Sequence, residues 1–264
     1  MIKIALDSGH GLKTAGKQTP DGIKEWTLND KVRDKVVAIL SDYECEILHT
    51  DNNEGNVDES LADRIAKYKK AGADAFVSIH HNANTGKWNT ATGVEVYVDK
   101  KPTTKDAKLA SCIYTRLVKY TGLKGRGIKK EDWYVINQNS VPAVLVEGGF
   151  MDGKNDYKVI TSDAGQTAYA KAVAEGLIEF LDLKKKAKPV VKPATKPAAK
   201  VTYFKKYTGK TTSIVTALKA IGATSSYAYR TKIAKKNNIK LYVGTAAQNT
   251  KMLNLLKQGK LIKP

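Results

Sequence analysis

Ala143-Val144-Leu145-Val146-Glu147-Gly148-Gly149-Phe150 is a short apolar run that ends on a carboxylate. The run reads as a strand. A bare carboxylate at its end would cost several kcal/mol to bury unpaired. Glu147 therefore calls for a metal, a partner or a working role. Chemistry in open α/β sheets gathers where strands end.

Two other apolar runs end in a similar way. Met1-Ile2-Lys3-Ile4-Ala5-Leu6 leads into Asp7-Ser8-Gly9-His10-Gly11, and a second run leads into Ser78-Ile79-His80-His81-Asn82. Glu25 stands in Ile23-Lys24-Glu25-Trp26. Two imidazoles and a carboxylate are one standard protein shell for a catalytic zinc, with a fourth position left to water. A second carboxylate beside such a metal can move protons. The set points to a zinc hydrolase. Taken singly, a histidine after a strand is more often a hydrogen-bonded structural residue, and Glu25 alone reads as a solvated carboxylate. The pattern is economical, however, since the histidines are only His10, His49, His80 and His81.

Outward from these sites, strand and helix signals alternate. Strands are expected at 2–7, 45–50, 74–80, 93–98, 133–137 and 142–147. Helices are expected at 27–41, 58–71, 104–120 and 163–182, on apolar spacing such as Val32, Val36, Val37 and Leu40. This order predicts an α/β domain over residues 1–182. Its mostly parallel, twisted sheet is flanked by helices in crossover connections.

On these residues the chain resembles the zinc-dependent N-acetylmuramoyl-L-alanine amidases of the type 3 family. The resemblance rests on the Ser-Gly-His-Gly opening, Glu25, Ser78-Ile79-His80-His81-Asn82-Ala83, Gly93-Val94-Glu95-Val96-Tyr97, and Pro142 to Phe150. It covers about residues 1–182. It implies Zn2+ held by His10, Glu25 and His80, with Glu147 catalytic. Adjacent strand residues point to opposite faces, so His80 and His81 cannot both aim at one metal. The family register assigns His80 and leaves His81 to the cleft wall or the substrate. His49 is expected to be structural. The sequence departs from the family pattern at His81, where a small residue is common, and at Asp152-Gly153, where Ser-Asn is more usual.

The 264 residues allow one large domain or two smaller ones, and 42% hydrophobic content is enough for a core. No apolar run is long enough for a membrane span, so no membrane insertion is expected. The N-terminus shows no secretory signal, which predicts synthesis in a host cytoplasm. Cys45 and Cys112 lack metal spacing and read as free thiols of a reducing compartment.

The formal charge of +19 is unevenly placed. Residues 1–182 hold 25 Lys and Arg against 26 Asp and Glu, whereas residues 183–264 hold 20 basic residues and no acid. Such asymmetry usually reports a polyanionic partner for the charged half. Residues 183–200 carry three prolines at four-residue spacing among lysines and read as a semi-rigid linker. Residues 201–264 read as a small, mainly helical module, with helices near 212–221, 227–236 and 245–258. A weak internal echo joins Tyr207-Thr208-Gly209 to Tyr242-Val243-Gly244. The segment from Lys206 to Pro264 resembles C-terminal modules of Bacillus-type phage and prophage lysins, which implies wall targeting.

The combined expectation is a phage or prophage endolysin. It would cleave the amide between N-acetylmuramic acid and L-alanine in peptidoglycan, and an anionic wall polymer would hold residues 201–264. The same facts fit a mother-cell autolysin of a spore former. A zinc peptidase acting within the stem peptide is a rival enzyme, separated by product ends. From another class, the acid-free tail would suit a nucleic-acid-binding protein. No nucleic-acid motif is present, and DNA binding leaves the zinc set unexplained. A wall-binding protein with a dead catalytic domain would not need all four site residues.

Overall fold

The computed structural model describes residues 1–138, 140–187 and 202–264. The chain divides into two compact units, Met1–Lys188 and Pro189–Pro264. Most of the expected linker, residues 188–200, lies outside the described residues.

The first unit runs β1 (Ile2–Ser8), α1 (Glu25–Leu40), β2 (Cys45–His49), α2 (Leu61–Ala71), β3 (Ala75–Asn82), β4 (Val94–Asp99), α3 (Thr104–Thr121), β5 (Gly125–Glu131), β6 (Ala143–Phe150), α4 (Lys154–Ile160) and α5 (Asp163–Phe180). The six strands form one sheet in the order β2-β1-β3-β6-β4-β5. All neighbours are parallel except the β4–β6 pair.

Alternation along the strands sends side chains to two cores. Ile4, Leu6, Val77, Ile79, Val144 and Val146 join Val32, Val36, Leu109, Ile113, Val173 and Leu177 from α1, α3 and α5. Ala5, Phe76 and Leu145 point the other way, onto Ile65 and Tyr68 of α2. β3 and β6 are central and covered on both faces, which explains their nearly continuous apolar character. Each fully buried aliphatic side chain contributes about 1.5–3 kcal/mol. Hydroxyl caps fix the helix starts: Ser60 accepts from Asp63 N–H, Ser162 accepts from Gly165 N–H, and Thr103 forms a capping box with Asp106.

Three elements differ from the sequence expectation. Residues 133–137 are a turn rather than a strand, closed by the Ile136 and Asn137 N–H groups donating to Trp133 O. Their apolar residues Val135 and Ile136 cap the α2-side core. The sixth strand is instead β5, Gly-Arg-Gly-Ile-Lys-Lys-Glu, at the sheet edge. Its charges suit an edge that must not pair with other chains, and they hide it from an apolar pattern. The short helix α4 was also unforeseen. Beyond α5, Leu183 is buried, Glu44 N–H donates to Lys184 O, and Lys186 N–H donates to Asp42 O. Residues 183–186 thus pack on the first unit.

The second unit holds α6 (Ile214–Ala220), α7 (Tyr227–Lys236) and α8 (Ala246–Gln258). Its core includes Phe204, Ile214, Leu218, Ile233, Met252, Leu253, Leu256 and Leu261. The N-caps Ser213, Ser226 and Thr245 each accept a backbone N–H. The echoed segments around α6 and α8 share a hydroxyl N-cap and a left-handed glycine after the helix, Gly222 and Gly259. They differ in helix length, 7 against 13 residues.

Candidate active site

His10, Glu25, His80 and Glu147 converge at the C-terminal end of the sheet. His10 follows β1, Glu25 opens α1, His80 lies near the end of β3, and Glu147 is its register partner on β6. All four line a cleft of about 380 Å³ with Lys17, Asn82, Trp133 and Met151. A neighbouring cavity of about 370 Å³ reaches His10 and His80 from the side of Asp7, Arg64 and Ser78.

Glu25 bridges the two imidazoles. One oxygen lies 3.0 Å from His80 Nδ1 and the other 3.3 Å from His10 Nε2. One ligand atom from each of the three residues lies within 4.8 Å of the others. The donors N, N and O are those of a hydrolytic zinc centre. Burial raises the Glu25 carboxyl, but the His80 hydrogen bond and the His80 and His10 charges outweigh it, leaving it at about 2. Burial, against the pull of Glu25, lowers His10 to about 4. Near neutral pH the pair is therefore a carboxylate and a neutral imidazole, the forms that coordinate metals.

The backbone is shaped to bring these rings together. His10 has φ 66°, a left-handed conformation that non-glycine residues seldom adopt. A Cβ on Gly9 would lie 2.0 Å from the His80 ring, so only glycine allows His80 its position.

Glu147 is 9% exposed, and its Oε2 is buried without a hydrogen-bond partner among the described residues. Burial first, then the charges of Glu25 and Glu95, push its carboxyl well above the usual range. An acid group held this way, in a cleft beside a metal-type donor set, is suited to exchanging protons.

His81 also lines the cleft, as expected, but its ring is held away from the three-residue donor set. Its ring is buried, Nδ1 lies 2.8 Å from Asn29 Oδ1, and its centroid is 5.5 Å from Tyr169. Its backbone N–H donates to Glu25 Oε1 at 3.2 Å. It supports Glu25 rather than facing the triad. His49, at the end of edge strand β2, lies outside the site.

Sequence reasoning missed the groups that brace this site. Arg64 and Asp7, both fully buried, form a 2.6 Å ion pair. Arg64 also donates to Ser8 O at 3.0 Å and His10 O at 2.9 Å. Ser78 Oγ donates to Asp7 Oδ2 at 2.7 Å and lies 3.1 Å from His80 Nε2. Asp152 accepts N–H bonds from Asn84, Thr85 and Gly86, fixing the loop after β3. Asp7 and Ser78 were visible as polar residues within strand ends. Arg64 carried no such signal, because a helical arginine ordinarily reads as solvated.

Residues 4–179 match the model of the N-acetylmuramoyl-L-alanine amidase family. The endolysin of Bacillus phage SPP1 is 38% identical over 187 residues, covering 70% of this chain and 68% of its own. The sporulation-specific N-acetylmuramoyl-L-alanine amidase of Bacillus subtilis is 30% identical over 187 residues, 70% of each chain. The catalytic domain of the amidase CwlV from Bacillus (Paenibacillus) polymyxa superposes with TM-score 0.64 at 27% identity, over 70% of this chain and all of that one. An amidase from Clostridium difficile 630 gives the same TM-score at 28% identity, over 69% and 97%. The chain therefore belongs to the N-acetylmuramoyl-L-alanine amidase family, hydrolases of peptidoglycan.

Proposed function

We propose that this amidase is a zinc enzyme of the endolysin type, with His10, Glu25 and His80 as ligands and Glu147 as its acid–base group. The observation that carries this reading is the three-residue donor set sharing a cleft with the unpartnered Glu147 oxygen. Zinc bound there would polarise the lactyl carbonyl and lower the pKa of the attacking water. A cation there would offset the Glu25 charge, the second cause after burial of the raised Glu147 carboxyl, and so would favour the ionised form in which Glu147 acts as base. Glu147 takes the proton of water as the new C–O bond forms. It returns that proton to the alanine nitrogen as the C–N bond breaks.

Residues 201–264 serve as the wall anchor, drawn to an anionic polymer by an acid-free surface. Among the described residues, no helix is long and apolar enough to cross a membrane. A lytic role at the host wall is favoured by the 38% identity to a phage endolysin, above the 30% to the sporulation amidase. Chelator-dialysed protein should lose turbidity-clearing activity on purified walls and regain it with zinc. The products should carry a new N-terminal L-alanine. Full activity without metal would overturn the zinc reading, and cuts inside the stem peptide would indicate a peptidase.

A further inference from the structure

The second unit contains a single arginine, Arg230, among many lysines and no acid. Its guanidinium lies 5.8 Å from the ring centres of both Tyr227 and Tyr242, within cation–π range. Nε donates to Ser225 O at 3.1 Å, and Nη1 donates to Tyr242 Oη at 2.6 Å and Asn249 Oδ1 at 3.0 Å. Every partner is neutral. Among the described residues no acceptor takes up Nη2. The group is thus fixed in orientation while its charge is uncompensated.

The surroundings look outward. Tyr227 is 52% exposed although its hydroxyl is pinned to Tyr242 O at 3.2 Å. Leu241 and Val243, on either side of Tyr242, are 78% and 46% exposed, and Lys240 is exposed beside them. Gly244, at φ 78°, lies against this group: a Cβ there would come within 3.4 Å of the Tyr227 ring and 3.9 Å of Arg230 Nη1. At those distances a Cβ would make ordinary van der Waals contact, so glycine is favoured here by its positive φ rather than by lack of space.

We infer that Arg230, with Tyr227, is the binding site for a phosphodiester of a polyol-phosphate wall polymer. This rests on the reading of residues 201–264 as the wall anchor and names the site within it. The three N–H groups on Nε and Nη1 are already used, so the parallel fork that grips carboxylate and phosphate alike is not available, and Nη2 alone is left to meet an anion. The two diverging N–H groups of Nη2 suit the oxygens of a phosphodiester strung along a chain. The exposed Tyr227 ring offers the polyol or sugar of the repeat an apolar face. Lysine in place of Arg230 would keep the charge but lose the planar, oriented donor set.

The test is co-sedimentation of the full chain, in a Glu147→Gln background that prevents digestion, with Gram-positive walls. Walls are used untreated and after hydrofluoric acid removal of phosphate polymers. Poly(glycerol phosphate) and polygalacturonate serve as competitors at equal charge. The parent protein should favour untreated walls and be displaced by the phosphate polymer. Arg230→Lys should bind at least about tenfold more weakly, while Lys251→Gln should stay within about twofold. If Arg230→Lys lowers the melting temperature of the second unit, Tyr227→Ala carries the test, since it leaves the Arg230 hydrogen bonds intact. It should weaken binding to untreated walls and leave binding to stripped walls unchanged. Equal parental binding to stripped and untreated walls would overturn the anchor reading and this site with it. Phosphate-dependent binding that neither Arg230→Lys nor Tyr227→Ala weakens would overturn this site alone. So would equal displacement by polygalacturonate, or an equal loss with Lys251→Gln.

Discussion

His80 and Glu147 are register partners across the parallel β3–β6 ladder. The sheet itself therefore sets the spacing between a metal-type imidazole and the proposed proton carrier. Glu147→Gln keeps the shape and removes the titratable group. It should retain zinc and lose about 10²–10⁴-fold in turnover. Stoichiometric metal in the purified variant, measured beside its rate, checks both halves. Near-normal turnover would remove Glu147 from the mechanism.

Adjacent histidines should separate cleanly by metal content. His80 faces Glu25 through Nδ1, whereas the His81 ring packs on Asn29 and Tyr169. His80→Ala should lose zinc, and His81→Ala should keep it with reduced thermal stability. The opposite result would mean that the β3 strand end is used in the other register.

Arg64→Met should be among the most damaging substitutions away from the cleft. It leaves Asp7 buried without its cation, a loss of about 3–5 kcal/mol. It also frees the carbonyls of Ser8 and His10 that Arg64 holds. We expect a lower melting temperature and weaker zinc binding by titration. A stable variant with unchanged metal affinity would show that the strained His10 turn holds itself.

The metal-free protein should be acid-sensitive in a defined window. Burial, only partly opposed by Glu25, lowers His81 to about 4. Its folded pKa then lies below the unfolded value of about 6.5. The unfolded state binds more protons between these values, so stability is complete above about pH 6.5 and falls toward pH 4. The contribution of His81 is at most about 3 kcal/mol. His10 adds to the same window. Melting temperatures of chelated protein at pH 7.5 and 4.5 should converge for His81→Gln more than for the parent. Equal losses in both proteins would mean that His81 is not held neutral.

Three of the four proposed site residues were legible from their place at the ends of apolar runs. His10 and His80 stand at strand ends, and Glu147 closes an apolar run where a lone carboxylate is costly. Glu25 became meaningful only beside the others. The central strands were equally plain, since burial on both faces makes them apolar throughout. What escaped was set by tertiary context. β5 is polar because it is an edge, and Val135 and Ile136 are apolar because a turn caps a core. The Arg64–Asp7 pair joins residues 57 positions apart, and no local pattern signals such a contact.

Cleavage and wall retention should be separable by truncation, and the position of the cut matters. Leu183 is buried and residues 184 and 186 bond to the segment before β2, so the cut belongs after residue 187 rather than after 182. Residues 1–187 contain all four proposed site residues and should cleave soluble muropeptides at the full-length rate. On intact walls they should act about tenfold more slowly or worse, because tethering no longer raises the local enzyme concentration. The deficit should shrink as salt weakens the attraction of the full chain to the wall. Residues 188–264 fused to a fluorescent reporter should decorate the same walls without clearing them. A truncated enzyme that clears walls as fast as the full chain at low salt would remove the targeting role. Slower cleavage of soluble fragments as well would instead assign residues 188–264 a part in supporting the catalytic unit.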